Sequence, residues 1–216
     1  PRQWAGLLFQ YVQRNIILPL SCLRKGIAPF PVFRHSLKGK EESAMALRPY
    51  DRRAAVLYAH EWAYGRNPKF YDYEHIGGDC TNFASQCLFT GSGIMDFTPT
   101  FGWYYIDADR KAPAWTGVPY LHQYLTRKRP SVGPVGRECA LWELQPGDLV
   151  QLRFQGTVFQ HSPVVVQADR AQSPEEVLIA AHSYDADYRP LASYDYEELR
   201  CLHIQGVRWP ESSPDL

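Results

Sequence analysis

The sequence predicts an α+β fold, and three observations predict it. Two segments in the first half, beginning at Tyr50 and Asp79, carry helical spacing of apolar residues. Four runs in the last third are rich in β-branched and aromatic residues and are separated by turn formers. Helices come first and strands afterwards, with no internal repeat, which is the order of an α+β chain with an antiparallel sheet.

Residues 1–47 read as an N-terminal extension and 48–216 as the folded domain. Gly26, Pro29 and Pro31 break any long helix in the extension, and Ser36 to Ala46 is polar. Trp4 to Leu23 is fairly apolar, but Gln10, Gln13, Arg14, Asn15 and Pro19 interrupt it, so neither a spanning helix nor a clean secretory signal is expected. The lack of a signal segment alone reads as cytoplasmic, and the compartment stays open. Leu7, Leu8, Tyr11 and Val12 could form one face of a short amphipathic helix.

The run YDRRAAVLYAHEWAYGRNP predicts the first helix. Asp51 can cap it, Ala54, Tyr58 and Trp62 share a face beside Ala55 and Ala59, and Gly65 and Pro68 end it. In GGDCTNFASQCLFTGSG, Gly77 and Gly78 permit a tight turn and Asp79 is a good N-cap. Cys80, Phe83, Ala84, Cys87 and Leu88 then follow the spacing of a buried helix face until Gly91 and Gly93. Residues 95–137 read as irregular, aromatic-rich loops with a short helix near Tyr120 to Thr126. LQPGDLVQLRF, GTVFQHSPVVVQA, EEVLIAAHSYD and LRCLHIQGVRW are the strands.

With 23 Lys plus Arg against 23 Asp plus Glu, the chain has no basic excess, which argues against nucleic acid as a partner. Arg127, Lys128 and Arg129 form a local basic run that reads as a solvated loop or helix end. The five cysteines, Cys22, Cys80, Cys87, Cys139 and Cys201, are odd in number and nowhere spaced CxxC, so neither a disulfide framework nor a cysteine zinc site is expected.

Chemistry concentrates at Cys80. A thiol attacks as thiolate, and a helix N-terminus or a nearby imidazolium lowers its pKa from about 8.5. Cys80 follows a Gly-Gly-Asp turn and opens a helix, where the macrodipole favours the thiolate. Its own N–H, unpaired in the first turn, could serve an oxyanion. Cys87 reads as core. Among seven histidines, His161 stands where a loop enters the strand HSPVVV, from which an imidazole could reach a packed helix N-terminus. A third group would orient that imidazole. His182, ending the strand VLIAAH, and Asp185, three residues on, are both candidates.

These segments are similar to a known family. GGDCTNFASQCL at 77–88 resembles the nucleophile segment of the bacterial amidase-domain family, a branch of the papain-like superfamily. The family tends to open with a helix like YDRRAAVLYAHEWA followed by RNPKF. PGDLVQLRF, QHSPVVVQA and EEVLIAAH resemble the strand motifs of NlpC-type cell-wall peptidases. The resemblance spans about residues 50–209. It implies a papain-like fold, with the cysteine helix packed on a small sheet. It implies Cys80 as nucleophile, His161 as general base and acid, and His182 as the orienting residue. A further oxyanion donor is implied upstream of the cysteine, with Asn67, Tyr71 and Tyr73 as candidates. Pro163, which cannot donate to a ladder, departs from a regular His strand.

The function expected is hydrolysis of an amide or peptide bond through a thioacyl intermediate, with no metal or organic cofactor. The substrate implied by resemblance is amide or cell-wall peptide, which would require export. Acyl transfer to an amine or hydroxyl is the alternative within enzymes. A catalytically inactive binding module is the alternative outside them. Trp103, Tyr104, Tyr105 and Trp115 read either as cleft wall or as core.

Overall fold

A computed structural model describes residues 45–211. The Trp4–Leu23 stretch, Cys22 and the remaining residues before 45 lie outside the described residues. Within them the fold is a mixed one, helices packed on an antiparallel sheet.

The chain enters on a short strand, β1 (Met45–Arg48), that pairs antiparallel with β7 (Glu198–Pro210). Met45 to Leu47, assigned by sequence to the extension, are therefore part of the sheet. Two helices follow, α1 (Arg52–Trp62) and α2 (Cys80–Ser92). Asp51 caps α1 as expected, its carboxylate accepting from Ala54 N at 2.9 Å. The buried stripe of α1 is Ala55, Ala59 and Ala63, small residues that let the helix approach closely while Tyr58 and Trp62 flank it. Two short helices, α3 (Pro113–Thr116) and α4 (Val118–Leu125), lead to β2 (Gly133–Cys139).

The remaining strands are β3 (Leu149–Arg153), β4 (Val164–Gln167), β5 (Leu178–Ala181) and β6 (Ala186–Pro190). The sheet runs β1-β7-β3-β4-β5-β6, all antiparallel, with β2 on the other edge of β7. At 13 residues β7 is long enough to pair with β3 through its first half and with β1 through its last residues. The four β-rich runs became β3, β4, β5 and β7. β1, β2 and β6 carried too little apolar alternation to stand out.

Both sheet faces are covered, which explains the unbroken apolar runs VVV and LIAA. Leu149, Val164, Val166, Ala180 and Leu202 pack towards α1 and α2. Val150, Leu152, Val165, Ile179 and Cys201 pack on the opposite face with Leu144 and Leu191. The aromatic middle is core. Trp103 and Trp115 are fully buried with rings 5.0 Å apart.

Helix α2 is buried on nearly every side, its polar positions included. Buried polar groups need partners, and the aromatic layer supplies them. Trp115 Nε1 donates to Asn82 Oδ1 at 2.8 Å and Trp103 Nε1 to Ser85 Oγ at 3.0 Å. Tyr58 donates to Gln86 Oε1 at 2.6 Å. Truncating Phe83, also fully buried here, falls in the class that costs about 3–5 kcal/mol. The start of α2 is thereby held rigidly in the interior. Arg127, read as part of a solvated run, is instead half-buried, its guanidinium donating to the carbonyls of Tyr124, Ser131, Val132 and Pro134.

Candidate active site

The turn that delivers Cys80 needs its glycines. Gly77 and Gly78 have φ of +99° and +98°, where a side chain is strained, and a Cβ on Gly78 would meet Ser183 Oγ at 3.1 Å. Ser183 Oγ accepts from Asp79 N at 2.8 Å, and Ser183 N and Oγ both donate to Glu74 Oε2 at 3.1 Å. The nucleophile turn is thus sewn to the turn between β5 and β6.

Asp79 does not cap α2, contrary to expectation. Its side chain makes no capping hydrogen bond. The carboxylate turns inward, fully buried, where Oδ1 accepts from Tyr73 N at 2.9 Å and from Asn82 Nδ2 at 2.8 Å. Oδ2 meets His182 Nδ1 at 2.6 Å. The sequence offered no sign of this role, because the partners at 73 and 182 become neighbours only on folding.

His182 is the second correction. Its other ring nitrogen, Nε2, faces the carbonyl of Trp62 at 2.8 Å, and its ring stacks on Phe83 at 4.0 Å. A carbonyl can only accept, so Nε2 carries a proton. With both nitrogens engaged, His182 has none left to orient His161. It braces the residue before the nucleophile instead. Asp185, the other candidate, is held by a two-pronged contact with Arg66, 3.0 Å on each side.

Cys80 lies on the first residue of α2, 7% exposed, against Val118 and Phe159. Its Sγ lies 3.9 Å from the carbonyl of Gln160 and 3.7 Å from Thr81 Oγ1. Burial pushes the thiol pKa up. The backbone N–H of Ser162, the Thr81 hydroxyl and the Thr81 N–H oppose that. The dipole-lowered thiolate expected from sequence is therefore outweighed here by loss of water.

His161 lies between Gln160 and Ser162, the two residues whose backbone meets this sulfur, in an isolated bridge to Leu152 just ahead of β4. Pro163 keeps it out of the regular ladder, since Pro163 offers only its carbonyl, to Val150 N at 3.0 Å. Successive strand residues face opposite ways. Ser162 therefore faces the helix, 3.4 Å from Thr81 Oγ1, while the His161 ring joins Tyr194 at 5.4 Å and Phe154 at 6.3 Å. Burial first, and then the charge of Arg189, lower the His161 pKa to about 4. Its Nε2 is buried without a hydrogen-bond partner. Neutral thiol and neutral imidazole thus lie on the two sides of one short chain segment, with no hydrogen bond between them.

Of the three upstream candidates for an oxyanion donor, Asn67 and Tyr73 have their donor groups engaged elsewhere. Asn67 Nδ2 donates to Tyr58 Oη at 2.8 Å, and the Tyr73 hydroxyl donates to the Ala108 carbonyl at 3.2 Å. Tyr71 is exposed, its ring edge-on to Tyr73 and its carbonyl accepting from Asn82. Among the described residues no cluster of His, Cys, Asp and Glu is arranged to hold a metal ion, and no helix is long and apolar enough to cross a membrane. Cys87, Cys139 and Cys201 are free thiols, like Cys80.

Comparison with known proteins adds a family. The chain is 34% identical over 143 residues to a Bacillus subtilis (strain 168) protein whose name reads "Uncharacterized protein YhbB", an alignment covering 65% of this chain and 43% of that relative. This chain therefore spans less than half of that protein's length. No solved structure matches. The family described as "Putative amidase domain" matches residues 49–204, a stretch that holds Cys80, His161, His182 and both faces of the sheet core, and the chain belongs to that family.

Proposed function

We propose that this protein is a cysteine-dependent hydrolase that cleaves an amide bond through a thioacyl intermediate, on a papain-like fold. One observation carries the reading. A cysteine opens a helix whose first turn has no side-chain cap, and its sulfur rests against the backbone flanking a histidine with an unpartnered ring nitrogen. Family membership supplies the bond type.

The chemistry follows from the neutral resting groups. Cys80 Sγ leaves the Gln160 carbonyl and attacks the acyl carbon. The S–H proton passes to His161, and the S–C bond forms. The carbonyl oxygen gains charge and is met by the uncapped N–H groups of the first turn. The C–N bond then breaks, the amine leaves with the proton held by His161, and water hydrolyses the thioester by the same steps in reverse. Catalytic hydrogen bonds commonly tighten only in the substrate complex, so the step requires His161 and Cys80 to close on each other as the acyl group enters. A peptide-type amide is the substrate class, and cell-wall peptide is the first to try, supported by the likeness of the strand motifs to cell-wall peptidases.

The test is acylation by the p-nitrophenyl ester of a short peptide. The reading expects a burst of about one equivalent of nitrophenol and a single acyl adduct, mapped by mass spectrometry to Cys80. Absence of the burst, or its survival in Cys80→Ala, would leave the domain without this activity. A second reading, acyl transfer to an amine, draws on the shielding of the sulfur by Val118 and Phe159, which keeps water scarce. Adding an amine nucleophile during turnover separates the two by the ratio of amide product to acid.

A further inference from the structure

Two polar atoms near the sulfur are buried without partners, His161 Nε2 and the Tyr194 hydroxyl. Leaving such a group unpaired costs about 1–3 kcal/mol, and native structures retain few of them. These two belong to neighbouring rings with centroids 5.4 Å apart. Tyr194 follows the 3₁₀ turn Leu191–Ser193 and precedes β7, so it reaches His161 from a different part of the chain than any residue the sequence suggested. Its ring is fixed from the other side by Arg189, whose guanidinium lies 3.8 Å over it. That guanidinium is held in turn by Ser193, through Nε to Oγ at 2.7 Å and Nη2 to the carbonyl at 3.2 Å.

We propose that Tyr194 is the positioning residue for His161, its hydroxyl oxygen accepting the Nε2–H proton and leaving Nδ1 unprotonated to serve Cys80. This role is the one that His182 cannot fill, because Asp79 and the Trp62 carbonyl occupy both of its nitrogens. A hydroxyl suits the place, since it can accept from Nε2–H in the resting state and still accept once the imidazole is doubly protonated.

The inference rests on the cysteine reading above, and the experiment separates the two. Histidine labelled with ¹⁵N reports the tautomer of His161 in the full chain, and the nitrophenyl ester burst reports acylation of Cys80. The expected result is an Nε2–H tautomer in the wild type. In Tyr194→Phe we expect loss of that preference and a burst slowed at least about tenfold with unchanged amplitude. A wild-type Nδ1–H tautomer would overturn the assignment whether or not the variant folds. So would a Tyr194→Phe protein with the wild-type tautomer and burst rate. A missing wild-type burst with an Nε2–H tautomer would instead sink the cysteine chemistry and leave the Tyr194 contact standing.

Discussion

The two sides of residue 80 are built to opposite rules. On the Asp79 side, the polar atoms of Asp79 and His182 are spent: the carboxylate takes up Tyr73, Asn82 and His182, and His182 closes on Trp62. On the Cys80 side, His161 Nε2 and the Tyr194 hydroxyl are buried with nothing to bond, and the thiol has only weak, long contacts. The depth is similar, with Asp79 at 0%, His182 at 1%, His161 at 4% and Cys80 at 7% exposure. Burial therefore does not distinguish the sides, but satisfaction does. A satisfied buried network fixes structure, whereas unsatisfied buried groups mark a place where strain is tolerated for another purpose.

The sharpest test of that contrast sets activity against stability. Cys80→Ala should lower hydrolysis by at least about a thousandfold, as loss of a nucleophile does. It removes one atom from a small cluster with Val118 and Phe159, so its unfolding midpoint in urea should barely move. An alanine variant that kept full turnover would erase the distinction between the sides. Asp79→Ala should behave the other way round. It strips a buried histidine and two donors of their partner, a class of change that costs on the order of 3–5 kcal/mol. Urea denaturation measures it, and a cost under about 1 kcal/mol would show that the Asp79 network is dispensable.

A smaller effect comes from pH. The His161 pKa falls from 6.5 to about 4 on folding. Between those values the unfolded chain binds more protons than the folded one, so stability rises with pH across the window and is lost as pH falls from 6.5 towards 4. The shift corresponds to on the order of 3 kcal/mol. Urea midpoints at intervals through that range should show the slope in the wild type and a shallower one in His161→Phe. Equal slopes would mean that His161 is hydrated in solution and that the contrast with His182 is overdrawn.

Much of the scaffold was legible in the chain. The Asp51 cap, the glycine turn at 77–78, the apolar face of α2 and four of seven strands follow from local spacing and turn chemistry. Cys80 was legible too, because its position at a helix start is a local property. The polar assignments around it were not. Asp79 has the residue type and position of an N-cap, and only the arrival of Tyr73 and His182 offers its carboxylate better partners than the helix N–H groups. His182 directly follows its strand, where the third residue was expected, yet the neighbouring helix end at Trp62 claims its far nitrogen. Tyr194 had no local signal at all, lying in a polar turn between two strands.

The amino-acid order by itself set the helices, the main strands, the apolar content of both sheet faces and the place of the thiol, because each depends on residues within a few positions of one another. Only the tertiary structure decided which buried polar atoms find partners, since several of those partners come from separate elements, Asp79 and His182 lying 103 residues apart. Whether the thiol is charged was decided there as well. The helix end that favours the thiolate is a local feature, whereas the burial by Val118 and Phe159 that opposes it exists only once the chain has closed around the sulfur.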